Sequence, residues 1–148
     1  MIKNFEEIEA WQMARELTKA VYAVVQSSSF SHDFGLRDQI RRASVSIMAN
    51  IAEGFERDGN KEFVQYLSQA KGSSAEVRSH LYVALDARYI DQQTFDTLSN
   101  LTVRIGKALA CFIKHLRSSD LSGIKFRHET QKPETRNQKP ETRNHALL

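Results

Sequence analysis

The chain has 148 residues, 41% of them hydrophobic and 26% charged, with a formal net charge of +3, a balance that fits one globular domain with room for a tail. A single cysteine, Cys111, excludes an intramolecular disulfide and any multi-cysteine metal site. It reads as an inert thiol on a helix in a reducing cytoplasm. No run approaches the roughly 18 apolar residues of a membrane span, and the first residues lack the apolar core of a signal peptide.

Both prolines, Pro133 and Pro140, lie near the C-terminus. The long proline-free stretch before them favours helices, because an interior proline costs a helix about 3 kcal/mol. The first helix is predicted over residues 5–26. Asn4 followed by Glu7 forms a capping-box start. Ala10, Ala14, Leu17, Val21 and Val24 step by four and three, a bundle seam that Trp11, Tyr22 and Val25 widen. Ser27, Ser28 and Ser29 break the pattern, and a linker continues to Gly35.

The second helix spans residues 36–56, with Ile40, Ser44, Ile47, Ile51 and Phe55 on one face. Asp58-Gly59-Asn60 marks a turn. Asn60 then caps a third helix that runs to residue 88 on the seam Phe63, Leu67, Ala70, Ser74, Val77, Leu81 and Ala84. Gly72 and Ser73 fall in its middle. A glycine there costs about 1 kcal/mol relative to alanine, and the expected return is close approach of a neighbouring helix. A fourth helix begins at the cap Asp91 and reaches residue 117 on Leu98, Thr102, Ile105, Leu109, Phe112 and Leu116. Four helices of about 21–29 residues, each about 30–43 Å long, joined by mostly short loops, make an all-α, antiparallel up-down-up-down four-helix bundle over residues 1–118.

Residues 119–148 form a polar tail. Residues 131–137 recur identically at 138–144, which looks like a coding-sequence duplication. These copies carry proline and no apolar face, so disorder is the expectation. The bundle holds 15 Lys and Arg against 14 Asp and Glu, and the tail holds 6 against 4. Bulk charge therefore makes no strong case for nucleic acid.

Arg42, Ser46, Asn50 and Glu53 fall within about 80° on the wheel of helix two. Most of what surrounds them is apolar or small, so more than one side of this helix is to be buried. One side faces the core. The flank of Val45, Met48 and Ala52 then needs a partner, read here as a homo-oligomer contact. Coverage by a neighbouring helix or the tail is the alternative.

The run Gly35-Leu36-Arg37-Asp38-Gln39-Ile40-Arg41-Arg42-Ala43-Ser44-Val45-Ser46-Ile47-Met48-Ala49-Asn50-Ile51-Ala52-Glu53-Gly54 resembles the signature of the 23S rRNA intervening-sequence proteins, whose pattern reads roughly GL-x-x-QIRRA-x-x-SI-x-x-NIAEG. Trp11-Gln12 with Ala14, Leu17 and Tyr22 is similar to the family's first helix. Lys61-Glu62-Phe63, Leu67, Ala70-Lys71-Gly72-Ser73 and Glu76 are similar to its third. The resemblance covers residues 2–116. Met48 departs from it, where many relatives carry a helix-interior proline. The resemblance implies a four-helix bundle, assembly as a ring-shaped pentamer, and encoding within ribosomal RNA genes. It also implies kinship with the accessory variability determinant of diversity-generating retroelements, which binds nucleic acid through a basic surface. It implies no settled activity.

For catalysis the residues offer nothing: no phosphate loop, nucleophile elbow or zinc motif is present. Glu76 and His80 share a helix face, a pair that is far more often structural than metal-binding. No cofactor is expected. For nucleic acid, Arg37, Arg41 and Arg42 gather at the start of helix two, with donors suited to phosphate. Intramolecular pairing is the alternative for all three, and for Arg42 it would anchor the polar stripe or meet a carboxylate such as Glu76. Lys61, Lys71, Arg78, Arg104, Lys107, Lys114 and Arg117 are further basic positions that a ring would multiply. No base-stacking platform is recognisable. Ser46, Asn50, Glu53, Gly54, Gly72 and Ser73 are read first as a structural and oligomer-register stripe, and second as a ligand site. The sequence therefore points to a non-catalytic, oligomeric, cytoplasmic accessory or scaffold for RNA or DNA. The alternative is a protein–protein scaffold whose partner is encoded nearby.

Overall fold

A computed structural model describes the backbone of residues 1–130 and the side chains of residues 1–119. The duplicated heptapeptide and the predicted disorder of the tail beyond residue 130 lie outside the described residues. The elements are α1 (Glu9–Val24), α2 (Phe34–Glu56), α3 (Asn60–Asp86) and α4 (Gln92–Thr130), with short 3-10 turns at Phe5–Glu7 and Phe30–His32. Consecutive helices pack as neighbours and α1 closes against α4, giving a four-helix bundle. No described helix is long and apolar enough to cross a membrane.

The predicted seams are the core. All seven seam residues of α3 are buried, as are Ile40, Ser44, Ile47 and Ile51 of α2 and Leu98, Thr102, Ile105, Leu109 and Leu116 of α4. Val24, Phe55 and Phe112 are only partly buried, and their neighbours Val25, Gly54 and Ile113 take the inner places. Tyr22, expected on the core stripe, is 41% exposed. It lies one residue past Val21, which turns it about 100° away from the seam.

Helix ends show where local chemistry shifts the predicted boundaries. Glu7 accepts the N–H groups of Asn4 at 3.1 Å and Lys3 at 2.6 Å, as a capping box should. Those bonds hold its carboxyl below the usual range. They close a 3-10 turn, however. Ile8 then goes extended and is buried, and α1 starts only at Glu9. Phe5 rests edge-on against Trp11, with ring centroids 5.2 Å apart.

Asp33, unremarked in the sequence, is the cap of α2. Its Oδ1 accepts Leu36 N–H at 3.1 Å, and Tyr89 donates its hydroxyl to Oδ2 at 3.0 Å. The bond to Asp33 raises the Tyr89 phenol above its ordinary pKa. Phe30 sits in the serine-rich linker yet is fully buried, its ring 5.2 Å from Tyr89. One aromatic pair thus ties the α1–α2 linker to the α3–α4 corner.

The cap of α3 is Gly59, at φ +88°, where only glycine sits without strain. Asn60, the predicted cap, is the first helical residue and donates to Leu116 O at 3.4 Å. Asp91 caps α4 as predicted, accepting Thr94 N–H at 2.8 Å. The fourth helix continues past residue 117, its predicted end, to Thr130. Leu116 is the last buried seam residue among those whose side chains are described, and no proline arrives before Pro133 to stop the backbone.

Candidate nucleic-acid interface

The predicted phosphate contacts begin in the first turns of α2. Arg37 is half-buried. Its Nη1 donates to Ser31 O at 3.1 Å, its guanidinium lies 4.8 Å from the centroid of the Phe34 ring, and its Nε is 3.7 Å from Asp38 Oδ1. Arg41 donates to the same Asp38 oxygen at 2.6 Å and faces the Tyr22 ring at 5.7 Å. The Arg41 hydrogen bond, reinforced by the charges of Arg41, Arg37 and Arg42, holds the Asp38 carboxyl below its ordinary value. Two of the three arginines are therefore occupied within the bundle. Arg42 is exposed and makes no hydrogen bond or ion pair among the described residues, so it is bonded neither to Glu76 nor to the polar stripe. It lines a shallow depression between α1 and α2 with Tyr22, Val45 and Ala49.

The polar stripe of α2 faces α3. Ser46 and Ser73 share a hydroxyl–hydroxyl bond of 3.0 Å, and Asn50 Nδ2 donates to Ser46 O at 2.9 Å and to Ser46 Oγ at 3.0 Å. At the lower end of the stripe, Arg57 and the Tyr66 hydroxyl donate to Glu53 Oε1 at 2.8 and 3.2 Å, which lowers the Glu53 pKa. A Cβ on Gly54 would lie 2.6 Å from Tyr66 Cβ and 3.0 Å from the Phe63 ring. Gly54 is thus the close helix approach. The expectation of such an approach at Gly72 is overturned: a Cβ there meets nothing within 4 Å. Ser73 reaches α2, but Gly72 is one residue further round the helix and opens to solvent. α2 itself runs uninterrupted through Met48.

Gly72 opens onto a groove between α3 and α4. Its floor is small: Gly72, Ala75, Gly106 and Ala110, over Ser74, which donates to Thr102 O at 2.9 Å across the seam. Gly106 also has open space where a Cβ would be. Lys71 and Arg78 rise from α3, and Lys107, Lys114 and Arg117 from α4, around two depressions of about 280 and 600 Å³. Among the described residues no carboxylate lines either depression. Among the described residues these cations make no ion pair. Each was visible in the sequence as an isolated charge. The signal that gathers them is the seven-residue spacing of Lys71 to Arg78 and of Lys107 to Lys114, which returns each pair to one helix face.

Elsewhere, Glu76 and His80 meet at 3.4 Å on one helix, and no group of three potential metal ligands forms among the described residues. Cys111 is exposed.

No curated protein matches the sequence. A crystal structure from Bacteroides thetaiotaomicron, of a protein of unknown function in the S23 ribosomal protein family, shares the fold with a TM-score of 0.66 at 23% identity, over 71% of this chain and 98% of that one. Residues 6–111 match the 23S rRNA-intervening sequence protein family, from the edge of the first turn to the last third of the bundle. The chain belongs to that family.

Proposed function

We propose that the protein is a non-catalytic, oligomeric helical bundle, assembled as a pentamer, that serves as a nucleic-acid-associated accessory or scaffold in the cytoplasm. The observation that carries this reading is the α3–α4 groove, in which, among the described residues, cations without an ion pair surround a floor free of carboxylates. Cations held apart from acids leave their charge for an outside anion, and a polyanion gains by releasing counterions when it meets them. Arg37 and Arg41 have a smaller part than their sequence position promised, because Asp38 already holds them. The family's name, which ties it to intervening sequences of ribosomal RNA, favours RNA as the anion. A ring would repeat the groove around its rim and turn weak sites into avid ones.

The oligomer has its own support. Val45 is 42% exposed and Tyr22 41%, side by side around one depression, where a monomer would leave apolar surface in water. The same patch favours the second reading, a scaffold for a protein partner without nucleic acid. The deciding experiment titrates RNA and DNA binding by the full chain across salt, with mass in solution recorded on the same sample. Steeply salt-dependent binding by an oligomer is the expected result. An intact oligomer that binds neither polymer at low salt would leave the protein partner.

A further inference from the structure

We infer that the α3–α4 groove takes a single strand of nucleic acid, with phosphates on its cations and a base stacked on Tyr82 at its end. This rests on the nucleic-acid reading above and names the form of the ligand.

Lys71, Ala75, Arg78 and Tyr82 follow one another by four, three and four residues, so they form one line along α3. Lys71 and Arg78 on that line border the groove. Tyr82 continues it and reaches across the seam to α4, its ring 4.7 Å from Phe95 and tilted by 59°. Phe95 is buried, and Tyr82 remains 54% exposed. One part of the ring is therefore held by the core while the rest faces water. A ring already fixed in place loses little freedom when a base covers it. An exposed aromatic in register with a cation track is how proteins hold unpaired bases, whose faces are free; a duplex hides those faces in its own stack.

The charges around Tyr82 agree with a base rather than a phosphate there. Asp86 lies one turn further along α3, and Asp96 adjoins Phe95 on α4, where Gln92 donates to it at 2.8 Å. Both acids are exposed, and they would repel a phosphate placed beyond Arg78. Glu76, the remaining acid of the middle of α3, faces His80 and lines neither depression. The track of phosphates thus ends at Arg78, and a neutral aromatic base is the group that fits the next position.

The test measures binding of a short labelled single-stranded RNA, its duplex, and the same strand with abasic sites, to the full chain. Two variants are compared. Tyr82→Leu keeps an apolar cover on Phe95 but removes the aromatic face, and Tyr82→Phe keeps the face. Tyr82→Leu should weaken single-strand binding roughly tenfold without changing the salt slope, since stacking is uncharged. Tyr82→Phe should bind like the parent. The abasic strand should bind the parent weakly and be indifferent to Tyr82→Leu. Single-strand binding unchanged by Tyr82→Leu, or a duplex bound as tightly as the strand, would overturn the stacked single strand while leaving phosphate binding in place. A parent protein that binds no nucleic acid at low salt would overturn both readings.

Discussion

The α2–α3 seam and the α3–α4 groove are built from the same small residues, glycine, alanine and serine, on two sides of one helix. At the seam, Gly54 lets Tyr66 and Phe63 press against α2, and Ser46 and Ser73 bond across the contact. At the groove, Gly72 and Gly106 face open space, and the surrounding charges are cations that form no ion pair among the described residues. A mid-helix glycine thus has no meaning of its own. Its neighbours in space decide whether it closes a helix contact or leaves a surface bare.

Substitution at the glycines should separate the two regions most sharply. Gly54→Ala places a methyl 2.6 Å from Tyr66 Cβ, the root of a side chain and so an atom with little room to yield. We expect a net loss of about 2 kcal/mol in denaturant unfolding, overpacking outweighing the gain in helix propensity. Gly72→Ala meets nothing and should gain about 1 kcal/mol from propensity and the less flexible unfolded chain. Equal effects of the two changes would erase the distinction.

Asn50→Leu comes next. Both hydrogen bonds of its amide run to Ser46 within α2, so its loss should lower stability by only about 1 kcal/mol. The change should instead alter the mass distribution in solution. A variant of unchanged mass and unchanged binding would argue against a role for the stripe in oligomer specificity.

Acid should act more weakly still. Asp38 titrates lower in the folded chain than in the unfolded one, chiefly through Arg41. Its contribution to stability is therefore complete above the unfolded value near pH 4 and is lost as pH falls through the folded one. NMR titration of the Asp38 carboxyl should give a midpoint below the ordinary value, and Arg41→Ala should return it most of the way. An unmoved midpoint in that variant would mean that Asp38 does not hold Arg41.

The bundle was legible because its seams repeat every three or four residues, and burial of Leu67, Ile47, Ile105 and their neighbours follows that repeat. Asp91 and the Asn4–Glu7 pair were legible because caps act over three residues. Asp33 carries the same local signal, three residues before Leu36, but Phe30 was not legible, since its burial in the linker depends on Tyr89, on the far side of the bundle. The candidate interface was the least legible part. Arg37 and Arg41 form a dense basic cluster in sequence, but Asp38 between them already answers their charge. The groove cations are spread over two helices and come together only when α3 and α4 pack side by side.

The proposed phosphate site is therefore the α3–α4 groove and not the start of α2. The salt dependence of RNA binding decides between them, measured on the full chain and on two double variants, Lys71→Ala with Lys114→Ala, and Arg37→Ala with Arg41→Ala. We expect the lysine pair to weaken binding and to flatten the slope of log affinity against log salt by about 1.4, some 0.7 for each single-strand phosphate left without its cation. The arginine pair should leave the slope near that of the parent. A slope flattened by the arginine pair and untouched by the lysine pair would move the phosphates to α2.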